Sequence, residues 1–299
     1  MTPRQHQLRR QALAALAALD RPEARPRLLF DGYNVTYEVL DRGERLALRL
    51  TRPGVSLAHV QGEVAWMTAL ARDSDVRVAE PVGVCVVDEQ VCVLTRWVHG
   101  VTRHASLTPR AMAAVGETMA ALHDHASHWT RPGTWSRPDV GSVWLGSPDP
   151  TPQLPADVAE RFTACASRLR PILAQLMAGE VFVLHADLHQ WNVKLAPGHD
   201  VGVLDFDDCA VGHPAMDLAI SRYYLGGHPR CEELRAALER GYRRRRPWPA
   251  DPELLEALHV WRMLGLCASV LDHPTEALRA KVGELLPRWD ELATEYLRS

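Results

Sequence analysis

The rhythm of apolar and polar positions changes twice along the 299 residues of this chain. Residues 4–20 have the spacing of an amphipathic helix, which Pro22 ends because proline lacks the N–H that a helix interior needs. The pattern then turns to β-branched and aromatic runs. "RLLFDGYNVTYEVL" (27–40) and "RLALRL" (45–50) are split by "DRGE", a hairpin signal. "HVQGEVAWMTALARD" (59–73) returns to helical spacing, with Val60, Val64, Met67 and Leu70 along one side. "RVAEPVGVCVVDEQVCVLTRWV" (77–98) supplies two or three further strands, so residues 1–98 predict a sheet of about five strands interrupted by one helix.

After Gly100 the balance inverts. Helical spacing covers 107–127, 156–178, 215–225, 230–245, 251–271 and 276–297, while 130–155, with six prolines, reads as a loop. Only 181–206 looks extended ("VFVLHADL", "NVKL", "VGVLDFDD"). The expected class is α+β, with a β-rich region (1–98, including the leading helix) followed by a helical one (99–299), joined near 95–100.

Composition narrows the function classes. Apolar content of 46% and charged content of 24% are those of a soluble globular chain. With a net charge of −3 and no basic run beyond "RRRR" (243–246), a nucleic-acid surface is not expected. No apolar run approaches 18 residues, so no membrane span is expected. The first twenty residues are too charged for a signal peptide, and the six cysteines contain no C-x-x-C pair. A cytoplasmic protein with free thiols is the expectation.

The densest chemistry lies in "HADLHQWNV" (185–193). His185, Asp187 and His189 alternate as three metal ligands on one side of an extended segment would. A zinc site needs three or four N/S/O ligands, usually with a second cluster elsewhere, and the only other histidine cluster (His123, His125, His128) closes a helix. The competing pattern is Asp187 followed five residues later by Asn192, the D-x-x-x-x-N spacing of a phosphoryl-transfer loop. Asp205, in "VLDFDD", follows an apolar run that reads as a buried strand. Phosphoryl transfer needs a carboxylate to orient the attacking hydroxyl and oxygen ligands for Mg²⁺, and these three residues supply both. The zinc reading leaves Asn192 and Asp205 idle.

With these residues in place the chain resembles the aminoglycoside phosphotransferase and homoserine kinase-like family, whose loop reads H-G-D-x-H-x-x-N before a strand ending in D-F-D. Ala186 stands here where that family has glycine. The resemblance implies a bilobal protein-kinase-like fold and an ATP- and Mg²⁺-dependent transfer to a hydroxyl. It makes Asp187 the catalytic base, Asn192 and Asp205 magnesium ligands, and Asp207 a neighbour of the metal. His189 would lie near the transferring phosphate, His185 would be structural, and Asp217 would brace the loop.

The resemblance further implies a short phosphate loop around Gly32 and Asn34. It also implies a hinge at Arg96, Trp97 and Val98 whose backbone meets the adenine edge. The usual β-strand lysine is missing, because the only lysines are Lys194 and Lys281. Arg49, on the third strand, is the candidate substitute, with Glu63 in the next helix as its partner. From residue 225 onward twelve acidic and twelve basic side chains cancel, so no strongly acidic floor for a polycation is evident. The expected acceptor is a hydroxyl on a small molecule. The alternatives are a protein Ser/Thr, a catalytically weak nucleotide-binding regulator of the same fold, and a metal-dependent hydrolase.

Overall fold

The computed structural model describes residues 2–102, 106–273 and 279–299. The chain forms two compact units: Met1–Thr102, Thr130–Arg137 and Val193–Asp207 make the first, and the remainder makes the second. Where the sequence groups 99–299 together, the stretches 130–137 and 193–207 belong with the first unit.

The first unit is built on strands β1 (Arg25–Asp31), β2 (Val35–Asp41), β3 (Glu44–Leu50), β4 (Arg77–Val78), β5 (Pro81–Val87) and β6 (Gln90–Arg96). Five of them form an antiparallel sheet in the order β1-β2-β3-β6-β5. Side chains alternate between faces along each strand. Cys92 and Leu94 of β6, with Tyr37, Val39, Leu46 and Leu48, therefore pack under helix α1 (Pro3–Ala18) through Leu8, Ala12 and Leu16. Val91 and Val93 turn the other way, onto Val60 of helix α2 (Leu57–Asp73). Thr2 caps α1 in a box with Gln5, and Ser56 caps α2 by accepting the His59 N–H. A second sheet joins β4 in parallel to β9 (Val201–Val203), which pairs antiparallel with β8 (Val193–Leu195).

The second unit holds α3 (Pro109–His128), α4 (Ala156–Met177), α5 (Pro214–Leu225), α6 (Cys231–Tyr242), α7 (Pro252–Leu271) and α8 (Lys281–Arg298). The helix expected over 276–297 begins, in the sequence reading, at positions outside the described residues. A short antiparallel pair, β7 (Phe182–Leu184) with β10 (Ala210–Gly212), carries the extended segment. Helices α3 and α6 meet backbone to backbone: a Cβ on Gly241 would collide with the Ala113 carbonyl, and one on Gly116 with that of Leu238. Against the expectation that nothing would qualify, α7 is long and apolar enough by composition to cross a membrane. Yet 56% of its most apolar window is buried in the protein, where Leu258, Trp261 and Leu264 are fully covered.

One group on α7 couples this packing to pH. His259 stacks beside the Tyr223 ring at 4.9 Å. Burial, followed by the positive charges of Arg235, Arg222 and Arg288, pushes its pKa from 6.5 down to about 4. The folded chain therefore holds the ring neutral where the unfolded chain protonates it, and this contribution is complete above pH 6.5 and lost as pH falls toward 4. We expect the unfolding free energy, measured in urea, to drop on the order of 2 kcal/mol across that window from this group. His259→Phe should flatten the slope, and an unchanged slope in that variant would rule the assignment out.

Candidate active site

The loop 185–192 belongs to the second unit and starts where β7 ends. Its shape is set from below by Asp217, in the first turn of α5, whose side chain is fully buried. Asp217 Oδ2 accepts the His185 N–H at 3.0 Å and Oδ1 accepts the Ala186 N–H at 2.7 Å. The same Oδ2 meets His123 Nε2 at 3.1 Å, and His123 Nδ1 in turn meets the Tyr242 hydroxyl at 2.9 Å. Drawing two successive N–H groups onto one carboxylate bends the backbone, and Ala186 takes φ +60°, a left-handed conformation that glycine adopts without a Cβ penalty. Farther along, the Ser221 hydroxyl donates to the Leu188 carbonyl, tying the loop to α5 a second time.

Asp187 emerges from this bend with every donor around it accounted for. Oδ2 accepts from Asn192 Nδ2 at 3.0 Å and lies 3.1 Å from His189 Nε2. Oδ1 accepts from Arg262 Nη2 at 2.6 Å. Asn192 Nδ2 also donates to the Asp187 carbonyl at 2.9 Å, so one side chain closes the loop and orients the carboxylate. Burial pushes the Asp187 carboxyl up, but the His189 hydrogen bond and the Arg262 charge outweigh it and hold it below the usual carboxylate value.

Both loop histidines serve the loop itself. His185 Nδ1 accepts the Asp187 N–H at 3.3 Å, and His189 Nδ1 accepts the Trp191 N–H at 3.2 Å. Among the described residues, no three His, Cys, Asp or Glu side chains are grouped to hold a metal ion by themselves.

The remaining candidates lie in the first unit. Arg49 on β3 and Glu63 on α2 form a direct ion pair, and the Glu63 side chain is wholly buried. Arg137 stands 3.7 Å from the other Glu63 oxygen. It also donates to the His59 carbonyl at 3.0 Å and to the Asp207 carbonyl. Arg49 Nη1 comes within 3.8 Å of Asp205, whose backbone is left-handed (φ +59°) and whose side chain is 50% exposed.

Asp207 is used differently. Its Oδ2 accepts from Asn34 Nδ2 at 3.0 Å and from Arg52 Nη1 at 3.3 Å, while its Oδ1 is buried without a hydrogen-bond partner. Burial raises this carboxyl, and Arg49, Asn34, Arg52 and Arg137 together bring it below the ordinary value.

Asn34 spends its side chain internally, because its Oδ1 also accepts the Arg52 N–H at 3.0 Å. The Gly32 N–H closes the turn onto the Asn34 carbonyl at 3.2 Å, and the Phe30 ring fills the space a Cβ on Gly32 would occupy. At the end of β6, Arg96 pairs with Glu44 (2.6 Å) and Glu80 (2.9 Å). Trp97 lies under the Arg45 guanidinium at 3.8 Å, and Val98 is buried.

Residues that sequence reading passed over include Arg262, Tyr224, Arg52 and Arg137. Arg262 did leave a trace: it is the single arginine or lysine in the apolar α7, and a buried guanidinium calls for a carboxylate partner. Arg137 left none, sitting among prolines.

The Asp217 arrangement gives a direct test. Asp217→Ala strands two buried N–H groups and the His123 ring, each about 1–3 kcal/mol. We expect the variant to lose about 3 kcal/mol or more in urea unfolding, and Asp217→Asn, which keeps one acceptor, to lose less. A loss under about 1 kcal/mol in the alanine variant would show that the loop holds its shape without this carboxylate.

Comparison with known proteins bears on this geometry. The profile of the phosphotransferase enzyme family matches residues 27–258. An uncharacterized protein of Deinococcus radiodurans is 30% identical over a gapped match 293 positions long that covers 88% of this chain and 84% of that protein. Among solved structures, a microcompartment-associated aminopropanol kinase is similar with a TM-score of 0.79 and 27% identity, covering 96% of this chain and 97% of that one. The amicoumacin kinase hAmiN, solved in complex with AMP-PNP, Ca²⁺ and Ami, has a TM-score of 0.74 and 19% identity, covering 90% and 89%. At that identity the likeness is one of fold, and it is the same α+β arrangement of a β-sheet N-terminal region before a helical C-terminal region. Because the family profile spans most of its length, the chain is a phosphotransferase and belongs to the phosphotransferase enzyme family.

Proposed function

We propose that this phosphotransferase transfers the γ-phosphoryl group of ATP, with Mg²⁺, to a hydroxyl of a small-molecule acceptor. The observation that carries the reading is the Asp187 carboxylate, held ionised in one loop with Asn192 and still 18% exposed. An ionised carboxylate accepts the hydrogen bond of an acceptor hydroxyl and orients its oxygen toward phosphorus. As the new O–P bond forms and the bond to ADP breaks, the hydroxyl proton passes to that carboxylate. Arg49, fixed by Glu63, is the cation for the phosphate oxygens. Its planar guanidinium can bond a carboxylate and a phosphate at once.

The side chains named from the sequence as magnesium ligands are of the kind the ion takes, each considered within its own unit. Asp207 Oδ1 is buried and unpartnered, the Asp205 carboxylate is half-exposed, and the Asn192 amide oxygen is not engaged by that side chain's two donations. These hard oxygen donors are what Mg²⁺ prefers, and the ion would offset negative charge on the phosphates. At the expected hinge the Arg96 N–H already donates to the Glu80 carbonyl at 2.8 Å and the Trp97 N–H to the Arg45 carbonyl at 3.3 Å, so an adenine contact there falls to Val98 or to a carbonyl. Amino alcohols are the first acceptors to try, on the strength of the likeness to the aminopropanol kinase.

A second reading, a nucleotide-binding regulator with little turnover, draws on the commitment of Arg49 to Glu63 and its approach to Asp205. ADP release with ATP and Mg²⁺ over a panel of hydroxyl acceptors separates the two. Turnover with at least one acceptor is expected. Thermal stabilisation by ATP–Mg²⁺ without turnover on any would favour the regulator. Asp187→Asn is expected to lower kcat by about 10²–10³-fold with the ATP-dependent thermal shift preserved. Unchanged turnover would remove Asp187 from its role.

A further inference from the structure

Arg262 is drawn into the site from α7, 75 positions beyond Asp187 in the sequence. The structure gives it one purpose that packing does not require. Its neighbours on the helix are Trp261, Met263 and Leu264, all buried, and an apolar side chain would satisfy the helix at lower desolvation cost. Instead the chain buries an arginine whose side chain is 10% exposed and leaves its Nε without a hydrogen-bond partner. What that burial secures is Nη2, which donates to Asp187 Oδ1 at 2.6 Å and to the Tyr224 hydroxyl at 2.8 Å. The Tyr224 ring lies 5.2 Å from the guanidinium carbon and 4.2 Å from the His189 ring, so the cation is fixed from its side as well as its tip.

The lone pairs of Asp187 then become countable. A carboxylate offers about four acceptor positions, two on each oxygen. Oδ2 has two donors. One is Asn192 Nδ2. The other is His189 Nε2, which carries the ring hydrogen because His189 Nδ1 accepts the Trp191 N–H. Oδ1 has one donor, Arg262 Nη2, and so has one position left.

We infer that Arg262 is a positioning residue which turns Asp187 so that the acceptor hydroxyl is received on Oδ1, beside the Arg262 guanidinium and the Tyr224 hydroxyl. This rests on the reading of Asp187 as the group that orients the acceptor. Without Arg262 the carboxylate is held from the Oδ2 side alone and rotates about its own axis. The hydroxyl then meets it at the wrong angle, and a displacement of about 1 Å at a reacting group costs about 10²-fold in rate.

The test is a kinetic cycle on the full chain, using the best acceptor from the panel described above. Arg262→Met should lower kcat about 10–100-fold while leaving KM for ATP unchanged, since no nucleotide group depends on it. Arg262→Lys, which keeps a donor and a charge, should recover part of the loss. In an Asp187→Asn background, Arg262→Met should cost nothing further in kcat, because the two residues act as one unit. Tyr224→Phe keeps the ring and removes the hydroxyl. It should cost several-fold in kcat, and it answers the question if Arg262→Met does not fold.

A purely structural role predicts lower thermal stability with kcat within twofold of the parent, no benefit from lysine, and additive losses in the double variant. Any of these overturns the inference, as does unchanged turnover in Tyr224→Phe. If Asp187→Asn keeps full turnover, both this inference and the role of Asp187 fall. If Asp187→Asn is inactive and Arg262→Met is not, only the present one does.

Discussion

A carboxylate sealed from solvent, that of Asp217, determines the path of the loop on which the chemistry depends. Burying such a charge is costly unless donors surround it, and here the donors are two consecutive backbone N–H groups and one imidazole. Once the His185 and Ala186 N–H groups point at the same acceptor, the backbone leading into Asp187 has little choice of conformation. Ala186 adopts the left-handed one. Asp187 is thereby thrown outward with its carboxylate facing Asn192 and Arg262, and the five-residue spacing to Asn192 lets one amide close the turn. Helix α5, strand β7 and helix α3 all meet at this one group, so packing in the second unit is transmitted to Asp187 through hydrogen bonds rather than through apolar contact alone.

Arginine does the cationic work in both units. Lysine is a point charge on a flexible stem, whereas a guanidinium presents donors in a plane and serves several acceptors at once. Arg137 reaches the Glu63 carboxylate and two backbone carbonyls. Arg262 serves a carboxylate and a phenol. Arg52 bonds Asp207 while lying 4.3 Å over the Tyr33 ring. This multiplicity makes the site stiff. It also means that each arginine is tied to more than one neighbour, so a change at one carboxylate disturbs a set of groups rather than a pair.

Much of this was visible in the sequence, and what was missed has a common cause. The five strands and most of the helices followed from periodicity, since alternation and 3.6-residue spacing are local properties. The pairing of Arg49 with Glu63 was implied by the family resemblance, with arginine standing where the family has a lysine. Asp187 and Asn192 were legible because their spacing is short. Arg262 and Arg137 are joined to the candidate residues by folding alone, and no local pattern encodes a partner 75 positions away. Asn34 was placed correctly in a turn, but its side chain closes that turn through Asp207, a residue far along the chain. The ownership of 193–207 was likewise hidden, because an extended segment reads the same whichever sheet it joins.

That last stretch has a consequence for how the protein can be divided. The first unit is assembled from three separated pieces of chain, and the polypeptide passes between the units five times. Strand β4 finds its parallel neighbour β9 only after most of the second unit's first half has been synthesised, a long-range pairing of the kind that slows folding. A fragment that stops at residue 102 would leave β4 with an open edge, so the two units are not separable by any single cut. Exchange of the first unit with that of a relative must bring residues 193–207 along, and Asp205 and Asp207 travel with them.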